Sequence, residues 1–193
     1  MEHFFQPDYL FDDYGRIPPE LLRSLGTKLL LCDIDNTLVT YDDPVPTEDV
    51  LRFFEGLREQ GIHVAFLSNN NSARVERFNE ALGFHAEASS GKPFTVFAVR
   101  RAMKAAGSDR SSTVMLGDQI FTDVLAARLS HIPAILVRPI RDKKTKLFLF
   151  KRRLERPFLR NFKEKYGKNS EKKLKYMRIR RKRQEKSGRG KRK

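Results

Sequence analysis

Cysteine is nearly absent from this sequence, and its scarcity limits the kinds of protein it can encode. The single cysteine, Cys32, has no partner in the chain, so an intramolecular disulfide is impossible and a secreted disulfide scaffold is excluded. Long apolar runs are also missing, since none approaches the ~18 residues that a membrane-spanning helix requires. The first residues show no basic start followed by an apolar stretch, so we predict no signal peptide. The expected location is the cytoplasm, with peripheral attachment to the inner face of the membrane kept as a second expectation.

Acidic residues are scarce near the end of the chain. From Arg141 onward there are 25 basic and 5 acidic residues, a net charge of +20, whereas residues 1–140 carry a net charge of −5. The 193 residues therefore divide into a mildly acidic body and a strongly basic extension. The body has the length of one ordinary domain with a real core, and two full-size domains are excluded.

Apolar segments alternate with helical patterns through the body. Strands are predicted at Leu29–Asp35, Ile62–Leu67, Phe84–Ala88, Thr113–Leu116 and Ala134–Val137, and helices after Thr47 and at Ser72–Leu82, Pro93–Gly107 and Ile120–Leu129. This alternation predicts an α/β fold, a Rossmann-like parallel sheet with helices on both faces. Residues 27–140 are expected to form this domain, preceded by a packed lead-in at residues 1–26.

Polar side chains follow the predicted strands at the points where the strands end. They are Asp33, Asp35 and Thr37 after the first strand, Ser68 and Asn69 after the second, Lys92 before a helix, and Asp118 and Asp123 after the fourth strand. In open α/β sheets the ligand site lies at the carboxyl ends of the strands. We therefore expect these residues to converge at one edge of the sheet.

The residue types in this set suit phosphoryl transfer. Asp33 and Asp35 lie two residues apart on an extended segment, so their side chains point the same way and repel unless a cation intervenes. Asp118 would complete a cage of hard oxygen ligands suited to Mg²⁺. Lys92 and Ser68 would hold an oxyanion, and a carboxylate nucleophile would form an aspartyl-phosphate. The alternative is that the acidic residues are only turn residues and helix caps.

These residues resemble the four motifs of the haloacid dehalogenase superfamily, in order, over residues 28–137. The resemblance implies Asp33 as nucleophile and metal ligand. It implies Asp35 as the general acid/base, with its backbone carbonyl also binding Mg²⁺. It assigns the phosphoryl group to Ser68 and Lys92 with support from Thr37 and Asn69, and the metal also to Asp118, with Asp123 as a further ligand or as a support of the ligands.

A closer similarity is to the YqeG family, in subfamily IIIA of the same superfamily. It is carried by residues 6–9, 35–39, 68–70, 117–123 and 151–157. That family is similar to the mitochondrial and plastid phosphatidylglycerophosphate phosphatases. The resemblance therefore implies an anionic phospholipid headgroup as substrate, the terminal phosphate of phosphatidylglycerophosphate, and a product, phosphatidylglycerol.

The short spacing between the motifs bears on the substrate. Only 35 residues separate Asp33 from Ser68 and 24 separate Ser68 from Lys92, and predicted helices and strands fill both gaps. There is no room for a cap domain, so we predict a capless fold whose site is open to solvent. An open site favours a large or membrane-bound substrate over a small soluble phosphate.

The basic extension is predicted in two parts. In residues 141–162, a basic amphipathic helix carries Leu147, Phe150, Leu154 and Phe158 on one stripe, and Pro157 kinks or restarts it. This helix could dock on an anionic membrane surface or on the body's own core. Residues 163–193 are predicted to be a disordered tail able to bind anionic lipid, or RNA without sequence specificity. The alternative function is therefore an RNA- or ribosome-associated protein whose phosphatase site acts on a nucleotide or protein, or is vestigial.

Overall fold

The computed structural model describes residues 2–141, 146–167, 170 and 173. The strands in this part of the chain are β1 (Tyr9–Phe11), β2 (Leu29–Cys32), β3 (His63–Leu67), β4 (His85–Glu87), β5 (Thr113–Gly117) and β6 (Ala134–Val137). The α-helices are α1 (Pro19–Ser24), α2 (Glu48–Glu59), α3 (Ser72–Asn79), α4 (Val96–Ala105), α5 (Leu125–Ser130) and α6 (Lys146–Tyr166). All six strands described are parallel, in the order β1-β6-β5-β2-β3-β4.

The sheet is covered by helices on both faces, as the apolar runs predict. In β2 every residue is buried, and successive side chains enter opposite cores because side chains alternate along a strand. Leu30 packs in a core built with α1, α2 and α3, whereas Leu31 packs in the core built with α4, α5 and α6. The predicted α/β architecture is confirmed.

Strand β1 has no counterpart among the predicted strands. Its three residues are too few to show a pattern, and two aspartates follow them. It adds to the edge of the sheet beside β6, where the backbone N–H of Asp8 donates to Ala134 O at 2.8 Å and the Asp8 carboxylate accepts from Ala134 N at 2.9 Å. The lead-in is thus a strand of the sheet as well as a packed segment.

Several helix boundaries differ from the predicted ones. Thr47 caps α2 as expected, but α3 is capped by Asn71, whose side chain accepts from the backbone N–H of Arg74 at 2.9 Å. The segment predicted as one helix from Ile120 to Leu129 begins instead with a π-helical turn, Ile120–Val124, and continues as α5. Such turns are rare and are often found at functional sites.

The order of the strands reverses beside β2. From β2 the chain moves through β3 to β4 on one side, and then returns to β5 on the other side of β2. The loops after β2 and β5 therefore diverge, which leaves a crevice at the carboxyl ends of these two strands. The chain between β2 and β3 holds only a loop and α2, and the chain between β3 and α4 holds α3 and β4, so the capless prediction is confirmed.

Helix α6 docks on the body. Phe162 is buried, and Phe158 packs on Phe5 of the lead-in with ring centroids 5.4 Å apart. The predicted stripe lies only partly against the body, because Phe150 and Leu154 are exposed. The line that faces the body comprises Arg152, Glu155, Phe158, Leu159, Phe162 and Tyr166. The side chain of Leu147 lies outside the described residues.

The helix is continuous through Pro157, so the predicted restart is wrong. Proline leaves the carbonyl four residues earlier without its helical partner. That residue, Arg153, is exposed like Pro157, and water can satisfy the carbonyl. Among the described residues, no helix has both the length and the apolar character needed to cross a membrane.

The predicted tail boundary at residue 163 is also wrong. Helix α6 continues to Tyr166, and Ser170 is buried against the lead-in, where its Oγ accepts from the backbone N–H of Leu10 at 2.8 Å. The lead-in provides a partner for these residues that composition alone does not reveal. Residues 168–169, 171–172 and 174–193 of the predicted tail, and residues 142–145, lie outside the described residues.

Candidate active site

Three buried carboxylates meet in the crevice between β2 and β5. Asp33 follows β2, Asp118 follows β5, and Asp123 comes from the π-helical turn. Each offers an oxygen atom within 4.8 Å of the others. We call these three residues the carboxylate cluster. Carboxylate oxygens at this spacing are the donors that Mg²⁺ prefers in proteins.

Lys92 neutralises part of the carboxylate cluster. Its Nζ lies 2.6 Å from Asp33 Oδ1 and 2.6 Å from Asp123 Oδ1, and its side chain is buried. Burial alone lowers the pKa of Lys92, but the two carboxylates outweigh that effect and the net pKa is raised. Asn69 fixes the backbone at this point, since its side chain accepts from Lys92 N at 2.7 Å and donates to Lys92 O at 3.0 Å.

Negative charge remains in excess despite Lys92. Burial raises the pKa of Asp33 to about 6, with Asp123 adding to the rise and Lys92 opposing it. Burial, followed by the charge of Asp123, also raises the pKa of Asp118 well above its ordinary value. Thr37 supports Asp33 by donating from Oγ1 to Oδ2 at 3.3 Å.

A charge count of the described groups gives the size of the excess. Five largely buried carboxylates, those of Asp33, Asp35, Asp118, Asp123 and Glu155, face three largely buried cations, those of Lys92, Arg74 and Arg152. Full ionisation leaves two negative charges. A divalent cation would neutralise them, so the donor set fits the Mg²⁺ ion that the motifs imply.

Asp35 stands beside the carboxylate cluster but is not one of its members. Its Oδ1 accepts from Arg74 Nη2 at 3.0 Å and from Arg74 Nε at 3.2 Å, and its Oδ2 accepts from Asn70 Nδ2 at 3.0 Å. The side chain is therefore held on the α3 side of the site. Neither Arg74 nor Asn70 is among the predicted site residues.

Ser68 is buried at the end of β3. Its Oγ accepts from Asn70 N at 3.1 Å, and its carbonyl accepts from Ser90 N at 2.9 Å, which ties the end of β3 to the segment leading to Lys92. Among the described contacts, Ser68 Oγ meets this backbone N–H and not the carboxylate cluster. It shares the sheet edge with the cluster without touching it.

Gly117 lets Asp123 approach the end of β5. A Cβ atom at position 117 would lie 2.2 Å from Asp123 Cγ and 2.4 Å from Asp123 Cβ, distances at which one group must move. Asp123 is also fixed by the backbone N–H of Gln119, which donates to its Oδ2 at 3.0 Å. The glycine therefore has a steric function that its place in the sequence motif does not explain.

Three other residues reach the site from positions where no catalytic role was predicted. Arg152 of α6 donates from Nη1 to Asp118 O at 2.8 Å and pairs through Nη2 with Asp118 Oδ2. Glu155 follows Arg152 by three residues and is an isolated acidic residue in a basic segment. Residues three apart lie on the same face of a helix, so the sequence could have indicated the ion pair between Arg152 and Glu155. Tyr41 borders the site, since burial and then the charges of Asp118 and Asp33 raise its pKa.

Comparison with known proteins identifies the family of the chain. Residues 18–131 match the family model of the haloacid dehalogenase-like hydrolases. The chain is 35% identical over 169 residues to "Probable phosphatase YqeG" of Bacillus subtilis, an alignment that covers 86% of this chain and 95% of that protein. The chain belongs to the haloacid dehalogenase-like hydrolases and, within them, to the YqeG family. The protein is accordingly a phosphatase, as predicted.

Two solved structures are similar to the chain at lower identity. An uncharacterized protein from Listeria monocytogenes serotype 4b is 19% identical, with 61% of this chain and 84% of that chain covered and a TM-score of 0.49. The 3-deoxy-D-manno-octulosonate 8-phosphate phosphatase of Moraxella catarrhalis, solved with magnesium and phosphate ions, is 22% identical. That match covers 54% of this chain and 65% of that chain, with a TM-score of 0.40.

Proposed function

We propose that the protein hydrolyses a phosphate monoester through an aspartyl-phosphate on Asp33, with Mg²⁺ as cofactor. The observation that carries the proposal is the placement of the Asp33 carboxylate. It lies 2.6 Å from Lys92 Nζ and beside Asp118 and Asp123, at the reversal point of the sheet. Mg²⁺ bound by these three carboxylates, and by the backbone carbonyl of Asp35, would offset the charge of the phosphoryl group and of the nucleophile.

In the first step, an Asp33 oxygen attacks phosphorus and the bond from phosphorus to the leaving oxygen breaks. Asp35 gives its proton to that oxygen, so the alcohol departs neutral. In the second step, water attacks the same phosphorus, Asp35 takes the proton, and the bond from phosphorus to Asp33 breaks. Lys92 and Ser68 hold the phosphoryl oxygens through both steps. The pKa of Asp33, about 6 in the metal-free site, leaves it largely ionised at neutral pH.

We infer further that the substrate is the terminal phosphate of phosphatidylglycerophosphate, presented at an anionic membrane surface. The family resemblance and the lack of a cap domain between β2 and α4 support this choice. A third support is a set of four exposed apolar side chains that lie near Lys92 or Arg152 along the chain, Phe94, Phe97, Phe150 and Leu154, which we call the apolar rim. Phe94 is 82% exposed and Phe97 is 73% exposed, two and five residues beyond Lys92.

Helix α6 contributes the second half of the apolar rim. Phe150 and Leu154 are 59% and 45% exposed and flank Arg152, which contacts Asp118. Arg153 and Arg156 are exposed on the same helix. Apolar side chains with basic neighbours suit insertion into an anionic interface, where each Lys or Arg contributes about 1 kcal/mol. The exposed face of α6 thus supports membrane contact although its other face docks on the body.

The test is phosphate release by the purified protein with Mg²⁺ from phosphatidylglycerophosphate in phosphatidylcholine vesicles, compared with sugar phosphates and nucleotides. We expect efficient turnover of the lipid and none by the Asp33→Asn variant. Efficient turnover of sugar phosphates with none of the lipid would overturn the proposed substrate. A different result would favour the RNA-binding alternative. In that case the protein would hydrolyse no phosphate monoester, and its cellular function would be lost on removal of residues 174–193 but not in the Asp33→Asn variant.

The apolar rim has its own test. The double variant Phe94→Ser/Phe97→Ser should lower turnover on vesicles while leaving turnover of soluble p-nitrophenyl phosphate unchanged. Leu51→Ser is the matched control, because Leu51 is also an exposed apolar residue, on α2. It lines a surface cavity together with His63 and Gly83, at the edge of the sheet opposite to the site. Equal losses on both substrates, or equal losses in the control, would contradict a membrane-facing rim.

A further inference from the structure

Helix α6 sends two charged side chains into the active site. Arg152 contacts Asp118 at two points, its carbonyl and its carboxylate, from a position 34 residues further along the chain. Glu155 Oε1 accepts from the backbone N–H groups of Ile120 at 2.7 Å and Phe121 at 3.4 Å. The two side chains form an ion pair, in which Arg152 Nη1 donates to Glu155 Oε2 at 2.7 Å.

These contacts hold the first half of one short segment, residues 118–124. Asp118 stands at its start, Ile120 and Phe121 begin the π-helical turn, and Asp123 lies within that turn. The first N–H groups of a helical turn have no partner inside it, and Glu155 supplies an acceptor for two of them. The segment that carries two members of the carboxylate cluster is therefore pinned from outside by α6.

Because Arg152 and Glu155 are buried, leaving either charge without its partner would destabilise the folded protein. Glu155 is 1% exposed, and the Arg152 side chain is 13% exposed. A buried charge is tolerated only when its partners satisfy it, and here each charge is satisfied by the other and by the segment at residues 118–121. A helix that needed only to present basic residues to a membrane would have no reason to bury these two.

We propose that Arg152 and Glu155 are positioning residues for metal binding, so that α6 is part of the catalytic unit. Arg152 orients the Asp118 carboxylate, and Glu155 fixes both Arg152 and the backbone that leads to Asp123. This inference rests on the proposed function of the carboxylate cluster. The competing account is that Arg152 is a placeholder cation that Mg²⁺ must displace.

The two accounts predict opposite effects of removing the guanidinium. Loss of a residue that orients a metal ligand typically weakens metal binding by about 10- to 100-fold. Loss of a competing cation would strengthen it. We therefore expect Arg152→Met to raise the Kd for Mg²⁺ by about 10- to 100-fold, measured by isothermal titration calorimetry on the full chain without substrate. Unchanged or tighter Mg²⁺ binding would overturn the proposal.

Arg152→Lys separates charge from geometry. Lysine keeps the positive charge but lacks the planar fork that reaches two oxygens at once. It should recover only part of the Mg²⁺ affinity lost in Arg152→Met, and full recovery would show that charge alone matters. Arg153→Met is the control, since Arg153 is the exposed neighbour on the same helix, and it should bind Mg²⁺ like the wild type.

Glu155→Gln tests the second half of the proposal. Glutamine keeps an acceptor for the Ile120 N–H but loses the charge that holds Arg152, so Mg²⁺ affinity should fall less than in Arg152→Met. Circular dichroism and thermal unfolding show whether each variant is folded, and only folded variants enter the comparison. Normal metal binding by a folded Arg152→Met protein would refute the positioning role and leave the proposed function standing, whereas wild-type protein that neither binds Mg²⁺ nor releases phosphate would refute both.

Discussion

Gly117 allows Asp123 to pack closely against the end of β5, and a single added methyl group tests this contact. In Gly117→Ala the new Cβ would lie 2.2 Å from Asp123 Cγ and 2.5 Å from Asp123 Oδ2. Both atoms belong to a buried side chain, whose Oδ1 lies 2.6 Å from Lys92 Nζ and whose Oδ2 accepts from Gln119 N at 3.0 Å. Asp123 or the end of β5 must therefore move, and these contacts must change.

The expected loss of folding free energy follows from overpacking at position 117. Overfilling a well-packed site typically costs about 1–3 kcal/mol of folding free energy. For a chain of this size, each kcal/mol lowers Tm by about 2–4 °C, so we expect a decrease of roughly 2–12 °C. Displacement of Asp123 should also weaken Mg²⁺ binding and lower kcat/KM by about 10-fold or more.

Thermal unfolding, Mg²⁺ titration and phosphate release from p-nitrophenyl phosphate together measure these effects. Gly56→Ala is the matched control, because a Cβ at this position within α2 meets nothing within 4 Å. It should stabilise the helix by about 0.5–1 kcal/mol and leave activity unchanged. If Gly117→Ala kept the wild-type Tm and activity, the close approach of Asp123 to the end of β5 would be refuted.

Other consequences of the site can be measured in the same way. Because the pKa of Asp33 is about 6 in the folded metal-free protein and 3.8 in its ordinary state, the folded state binds more protons between these values. The unfolding free energy should therefore fall by roughly 3 kcal/mol from this group as pH rises from about 4 to above 6. Urea titrations should show a decrease that is larger by this amount in the wild type than in Asp33→Asn, where the raised pKa of Asp118 still contributes. The variant should be inactive yet more stable at pH 7, and parallel pH profiles would contradict this. Arg74→Met removes two donors from Asp35 and should lower kcat by about 10-fold or more with little change in KM, whereas Arg77→Met, exposed on the same helix, should have no effect. Ca²⁺ should inhibit because its longer bonds and higher coordination number would misplace the phosphoryl group, and equal turnover with Ca²⁺ and Mg²⁺ would contradict the proposed metal site.

The central part of the fold was predictable because local and global signals agree there. The apolar run of β2 ends on Asp33, and the run of β5 ends just before Asp118. Parallel strands place such ends at one edge, so the meeting of these residues with Lys92 follows from strand order and spacing. The π-helical turn was not predictable, since its hydrophobic pattern is that of an ordinary helix.

The errors concentrate where long-range contacts decide the structure. Strand β1 is too short to show a pattern, and it is stabilised by pairing with β6, more than 120 residues away. In α6 the apolar spacing favours a stripe through Phe150 and Leu154, but the helix is oriented by its polar contacts. Arg152 and Glu155 turn toward the site because Asp118 and the Ile120 N–H are there to receive them, and a single sequence contains no direct signal for those partners.

The central claim is that the phosphoryl group is transferred to the Asp33 carboxylate. Borohydride reduces an acyl phosphate to an alcohol, so trapping during turnover of p-nitrophenyl phosphate would convert that aspartate to homoserine, which peptide mass spectrometry can locate. Asp35→Asn should be used beside the wild type, because p-nitrophenolate departs without an acid whereas hydrolysis of the intermediate still needs the base. We predict homoserine at position 33, dependent on Mg²⁺ and substrate; continued turnover with an unmodified Asp33, or with the label at another residue, would contradict the mechanism.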